Sequence, residues 1–406
     1  MRRMWLAFTY VVAAAAVATA LFAADWPGWR GQRRDGYSLE KGINKGWKAK
    51  PPKELWRIPL GDIGHAGPAV AGGKVFIVDH QKGDDVVRAI DAATGKDVWT
   101  YAYADGTGED YGFTRSTPLI EGGKVYVISM MGKVLCLDEK DGKVVWEKSL
   151  IADLGGRKAQ WHMSMSAIID GDKLIVVPGA KDGAVAALNK DTGELIWKGG
   201  GSDIPGYSTP VVLTPEGKKL YVVFLGTSLV GVDAEDGKLL WSLEWKTKYD
   251  VNAATPVVIG DAGVFITSGY GRGCALLKVS ARGVEKIWEN KNVQAHFNSA
   301  VFAGAYLYAN SDPDDLVCLD VKTGKTVWKQ DGFEKGGLLS VNGCIIAQSG
   351  SRGTLVLCRM TPDGYQELGR IDAFPKCRKR AWAPPIVADM KLFARDLKEL
   401  VCYDLH

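Results

Sequence analysis

The chain has 406 residues, 46% of them hydrophobic and 24% charged, a balance that excludes wholesale disorder. Lys and Arg outnumber Asp and Glu by 51 to 47, a surplus too small for the concentrated basic face that nucleic acid requires. The length predicts two or three domains of about 150 residues unless the fold grows by repetition, and 49 glycines with 14 tryptophans suggest that it does.

Residues 1–23 open with Arg2 and Arg3, continue as an apolar run and close on small residues. That is the layout of a secretory signal peptide, with cleavage expected after Ala20 or Ala23. The alternative is an uncleaved anchor, since the run approaches the length that spans a bilayer, roughly 17–20 residues. No cysteine lies near the cleavage region to carry a lipid. After cleavage no membrane span is expected, and the mature chain belongs in the periplasm or outside the cell.

Residues 24–53 form an N-terminal arm bearing Trp26, Trp29 and Trp47. Aromatic residues seldom stay exposed in a tether, so the arm is expected to pack on the side of the main body and fill a groove. The other reading is that it docks a partner.

From residue 54 onward one phrase recurs. It runs from Ala89 to Trp99 as AIDAATGKDVW, returns from Cys136 to Trp146, and closes again at Trp197, Trp241 and Trp328. A looser copy ends at Trp288 and a degenerate one at Leu368, so the closing residues are 47, 51, 44, 47, 40 and 40 apart. This is the period of a four-stranded propeller blade. Each unit opens on small or proline-containing pairs such as Thr117-Pro118 and Thr209-Pro210. A β-branched run follows, beginning near Lys74, Lys124, Lys173, Lys219, Gly263, Ala305, Cys344 and Lys391, which makes eight. The turn glycines before the tryptophan strand (Gly95, Gly142, Gly193, Gly237, Gly283, Gly324 and Gly364) accept positive φ without steric cost. Six residues before each lies a slot expected to pack under an indole: Ala89, Cys136, Ala187, Gly231, Leu277, Cys318 and Cys358, with Cys402 in the last unit. Four of the seven cysteines are thereby read as small buried hydrophobes rather than disulfide partners. Cys377, beside Lys376 and Arg378, reads as a loop thiol.

The last unit ends at His406 without a fourth strand, and the strand around Trp56 has no unit before it. Joining them completes an eighth blade and removes the open edges of the ring. The expected fold is all-β, one eight-bladed propeller of four-stranded antiparallel blades over 54–406, closed by the N-terminal strand. Seven blades is the runner-up.

The phrase at 89–99 matches the tryptophan-docking motif of the PQQ-repeat, or quinoprotein-like, propellers, and the resemblance covers nearly the whole mature chain. The opening from Asp25 to Gly31, with Arg34, Asp35 and Gly36, resembles the start of many secreted PQQ-like repeat proteins. In size and single-domain layout the chain is similar to the BamB-like branch. That resemblance implies a noncatalytic extracytoplasmic scaffold whose partners are envelope or outer-membrane assembly proteins. Other members are calcium- and PQQ-dependent alcohol dehydrogenases, and fold alone does not choose between them. Such an enzyme needs oxygen ligands for calcium, a general base and a flat-walled ring site. The adjacent cysteines on which many members stack the quinone are absent here. Asp110, Asp203 and Asp250 fall on inter-blade loops where a base could sit, but they read as solvated loop acids. Gly269, Gly271 and Gly273 precede no helix and read as a turn. No catalytic residue, metal or cofactor is therefore assigned.

In a propeller the first strand of each blade lines the central channel, and the residues just before it form a mouth. Counting back from the opening pairs places His65, Arg115, His162, Tyr207, Asn252, His296, Arg380 and Trp382 there. Convergent polar and aromatic groups make this the expected ligand-binding site, with a small molecule as the alternative to a protein partner. The bland reading is that these residues cap the gaps between blades.

Overall fold

A computed structural model describes residues 25–105, 111–377 and 380–406. The leader, Asp110, Arg378 and Lys379 lie outside the described residues.

The described strands form eight sheets with four repeat strands each, every repeat-strand pairing antiparallel. Blade 1 comprises Ala69–Ala71, Lys74–Gln81, Asp84–Asp91 and Asp97–Ala104. Blades 2 to 7 follow at 119–149, 168–199, 211–244, 257–290, 301–331 and 338–372. Blade 8 joins Ile386–Ala388, Lys391–Arg395 and Glu399–Asp404 to Lys53–Pro59 from the other end of the chain. In that joint Trp56 stands opposite Cys402. Closure by the N-terminal strand and the count of eight are therefore as the repeat implies. Inner and middle strands are buried on both faces, whereas fourth strands alternate, because only one face of the outer strand meets a neighbour.

The tryptophans knit successive blades together. Trp56, Trp99, Trp146, Trp241, Trp288 and Trp328 each donate the indole N–H to a backbone carbonyl in the next blade's last turn, at 2.8–3.0 Å. The ring lies flat on that turn. At Gly142, φ is +73° and a Cβ would stand 2.6 Å from a ring carbon of Trp99, so glycine satisfies both the backbone and the close approach. Trp197 packs on Gly237 in the same way, but its Nε1 lacks a hydrogen-bond partner among the described residues.

Register corrects the slot in two blades. A bulge precedes each closing residue, and in most blades the slot faces the tryptophan directly, as Ala89 faces Trp99. In blade 5 the residue opposite Trp288 is Leu276, not Leu277. In blade 7 the bulge pairs Leu357 with Gly369, so the slot is Leu357 rather than Cys358, and the closing position is Gly369 rather than Leu368. Counting from the turn glycine fails where the last turn has an extra residue.

Blade 7 thus has no side chain at the tryptophan position, and the arm supplies one. Gly369 has φ +148°, and a Cβ there would lie 2.6 Å from Cβ of Trp47. Trp47 is 1% exposed, packed with residues of blades 7, 8 and 1, and Lys48 N donates to Leu368 O at 3.1 Å.

The rest of the arm runs across the channel rather than along a side groove. Trp26 pairs with Val70 of blade 1 through two backbone bonds of 2.8 and 2.9 Å, and Pro27 O accepts from Ile120 N of blade 2. Arg34 reaches Ile169 O of blade 3 at 2.6 Å, and buried Arg30 reaches Ala300 O of blade 6 at 2.8 Å. Tyr37–Ser38 adds a parallel strand to the inner strand of blade 7. Ser38 Oγ donates to Val387 O of blade 8 at 2.9 Å. The arm plugs one end of the channel because the inner strands leave their backbone groups facing the axis, where a chain that carries its own donors can satisfy them.

All seven thiols lie among the described residues and none is in a disulfide. Six are buried, and burial pushes Cys136, Cys274, Cys358 and Cys402 up to about 12 and Cys318 up to about 11. Cys377 is half-buried.

Candidate functional site

The connectors that lead into the first strands gather at the end of the axis opposite the arm's backbone. They enclose a cavity of about 360 Å³ whose floor is the Trp29 side chain. The Trp29 indole N–H donates to Thr255 Oγ1 at 2.9 Å, reaching blade 5 from an arm anchored on blade 1. The cavity is therefore blind.

Six of the eight residues expected at the mouth line this cavity: His65, Arg115, Tyr207, His296, Arg380 and Trp382. The structure places the other two elsewhere. Asn252 is fully buried, and its amide donates to Leu225 O, Gly226 O and Trp245 O, each at 3.0 Å, while Oδ1 accepts from Ser268 Oγ. It stitches loops together. His162 is buried with φ +65° and is not part of the lining. Counting back from the opening pairs finds the right connectors but does not tell which way a side chain points.

Trp29, Tyr111, Trp161, Tyr270 and Lys335 also line the cavity and escape that count. The signal that finds most of them is the concentration of aromatic residues in the inter-blade connectors. Seven rings close a circuit around the mouth. Centroids are 6.2 Å apart from Trp382 to Tyr111, 6.4 Å to Trp161, 5.8 Å to Tyr249 and 5.2 Å to Tyr270. The circuit continues at 4.5 Å to His296, 4.3 Å to Phe297 and 4.7 Å back to Trp382. Most of these contacts are edge-to-face or tilted, the arrangement that aromatic quadrupoles favour.

Cations sit on the circuit. Arg380 lies 5.1 Å from the Tyr111 centroid and 5.9 Å from that of Trp382, and Lys335 Nζ is 5.9 Å from Phe297. Arg115 donates to the backbone oxygens of Trp161 and Gly112. His65 stacks on Trp382 at 4.9 Å and 15°. Its loop is fixed by fully buried Arg395 of blade 8, which donates to Gly64 O at 2.7 Å and Ala66 O at 3.0 Å. Burial first, then Arg395, Arg115 and Arg380, push the imidazole down to about 3, so His65 is neutral at physiological pH. Its Nε2 is enclosed and has no partner among the described residues. His296 Nδ1 is held by Asp312 Oδ2 at 3.0 Å.

Of the loop acids considered as bases, the two described ones, Asp203 and Asp250, do not line the cavity. Asp203 accepts from Ile204 N, Thr227 N, Thr227 Oγ1 and Ser228 Oγ at 2.7–3.0 Å, a structural bracket. Asp250 is not among the lining residues.

The fold is shared with redox enzymes. Quinohemoprotein alcohol dehydrogenase from Comamonas testosteroni superposes with a TM-score of 0.70, at 14% identity over 94% of this chain and 80% of that one. That likeness shows the fold alone. A calcium-assisted quinone centre needs several oxygen ligands that converge on a hard cation. Among the described residues no three of His, Cys, Asp and Glu converge, and no carboxylate lines the cavity. The described residues do not fit that centre.

BamB from Moraxella catarrhalis superposes with a TM-score of 0.62, at 17% identity over 87% of this chain and 97% of that one. Outer membrane protein assembly factor BamB of Yersinia pestis is 25% identical over 307 residues, which cover 69% of this chain and 70% of the relative. The family model described as outer membrane protein assembly factor BamB matches residues 46–157 and 83–330. With the model matching well over half of its length, the chain belongs to the BamB family of PQQ-repeat propellers.

Proposed function

We propose that the protein is a noncatalytic extracytoplasmic scaffold that binds protein partners during outer-membrane or envelope assembly. The observation that carries this reading is the lining of the axial cavity, which presents cations and rings but no carboxylate base among the described residues. Support comes also from relatives named for outer membrane protein assembly, which align over most of their own length. A ring of sheets closed at its seam suits the role, because rigid strands hold the connecting loops at fixed positions for a partner. The leader is expected to take the chain across the inner membrane.

Two measurements made together test the proposal. Tagged mature protein is recovered from its own envelope and probed for outer-membrane assembly components, and purified protein is assayed for dye-linked alcohol oxidation with PQQ and Ca²⁺. A stoichiometric complex without turnover supports the scaffold. Turnover above a heat-inactivated control would make the protein an enzyme and overturn the proposal.

A further inference from the structure

The charged side chains that line the axial cavity among the described residues are all cations. Arg115, Lys335 and Arg380 line it, and no carboxylate does among the described residues. Asp312, which holds His296, is not part of the lining. An anion entering from water therefore meets three cations, and their field is strengthened by the apolar walls around them.

The shape of the aromatic wall narrows the class. From Tyr111 round to Phe297, successive ring planes turn by 60–87°. A fused planar ring binds best between two parallel faces, which this stretch of wall does not offer. A puckered sugar ring carries C–H groups on both faces and hydroxyls on its edge, and it suits rings that face it from several directions. Polar groups for those hydroxyls line the cavity: the Thr209 hydroxyl, which accepts from Ser166 N and keeps its own proton to donate, and Asn298 Oδ1, an acceptor whose amide nitrogen donates to Lys335 O and Trp382 O. His65 adds an acceptor. Its ring is held to the Tyr111 backbone, and Nε2 is enclosed with no partner among the described residues. A volume of about 360 Å³ falls at the small end of ligand sites and suits one or two rings.

The geometry points to a binding site for an acidic sugar, a uronate or short uronate chain whose ring lies within the aromatic circuit and whose carboxylate meets Lys335 and Arg380. The site is distinct from protein docking through the blade loops, and either reading can fail without the other.

The test is titration of the mature chain, followed by tryptophan fluorescence and calorimetry. The probes are galacturonate, a short oligogalacturonate, the neutral galactose counterpart and PQQ as a planar tricarboxylate. The expected result is saturable binding of the oligouronate that weakens with salt, with the neutral sugar at least about tenfold weaker. Lys335→Gln lowers the affinity about tenfold with an unchanged circular dichroism spectrum, because it removes a charge-assisted contact and leaves the backbone alone. Absence of saturable uronate binding would overturn the assignment. So would PQQ binding where the uronates do not, or an unchanged affinity in Lys335→Gln.

Discussion

Replacing Trp47 by alanine tests whether the arm belongs to the core. The indole is 1% exposed and fills the position where blade 7 has Gly369 instead of a tryptophan. Blade 7 therefore has no side chain of its own to refill the space, and the cost should reach the usual range for emptying such a site, about 3–5 kcal/mol. None of this comes from a lost hydrogen bond, since the Trp47 Nε1 has no partner among the described residues. Phenylalanine provides the sharper contrast. Trp47→Phe loses one ring of packing but also removes a buried, unpaired N–H whose burial costs about 1–3 kcal/mol, so the two terms nearly cancel. Trp146→Phe forfeits a 3.0 Å bond to Lys190 O, leaves that carbonyl only the 3.2 Å bond from the Tyr126 hydroxyl, and should be clearly destabilising. The assay is the guanidinium midpoint at constant m-value, with limited proteolysis reporting release of the arm. A Trp47→Ala change within about 0.5 kcal/mol, the size of an ordinary surface substitution, would refute the reasoning. So would Trp47→Phe proving as costly as Trp146→Phe.

Three further outcomes rest on burial and close packing elsewhere in the ring. His65 is pushed down to about 3 in the fold against 6.5 unfolded, so the stability tied to its neutral form is full above pH 6.5 and is lost as the pH falls toward 3. His65→Gln should flatten the acid limb of a melting-temperature profile by on the order of 2 kcal/mol, once the ring's residual solvent contact is counted, and an unchanged limb would contradict the assignment. Gly231→Ala sets a Cβ 2.2 Å from the Trp241 ring and should cost about 1–3 kcal/mol, at the low end because Ala89 and Ala187 occupy the same slot under their own tryptophans; a stabilised variant in thermal melts would contradict the packing. A thiol reagent should label Cys377 before the six buried cysteines, whose thiols react only after unfolding, and rapid labelling of several equivalents in native protein would show the blades to be open.

The ring was legible because its determinants are local. Strand alternation, the turn glycine and the tryptophan lie within one phrase, so repetition reports the blades and the mismatched ends report the seam. Where one residue was inserted, as before Trp288, the register slipped by one, and only the bulge in the sheet restores it. The cavity was half legible. Its connectors could be counted, but Asn252 and His296 come from equivalent places, four residues before Pro256 and Ala300, and one turns into the loops while the other faces the axis. That choice depends on which carbonyls each connector leaves unsatisfied, a property of the assembled ring. The path of the arm was not legible at all. Trp29 contacts Thr255 across 226 residues of sequence, and nothing local to either residue announces it.

The arm joins the two things the ring must do. A propeller closed by strands from both chain ends has one seam without covalent continuity, here between Lys53–Pro59 and Glu399–Asp404. The arm crosses that seam with Asn44 N on Leu405 O at 2.7 Å and with Trp47 packed behind it. The same segment then runs over the axis and lays Trp29 under the cavity. Each contact alone is modest, but they are tethered in series. Once Trp47 is seated, the entropy lost in placing Trp29 falls, because the chain between them is already fixed at blades 3, 6, 7 and 8. Opening the seam and losing the cavity floor are therefore one event. Accordingly, the Trp47→Ala variant should bind at the axial mouth more weakly than its remaining folded fraction accounts for, although Trp47 itself does not line the cavity.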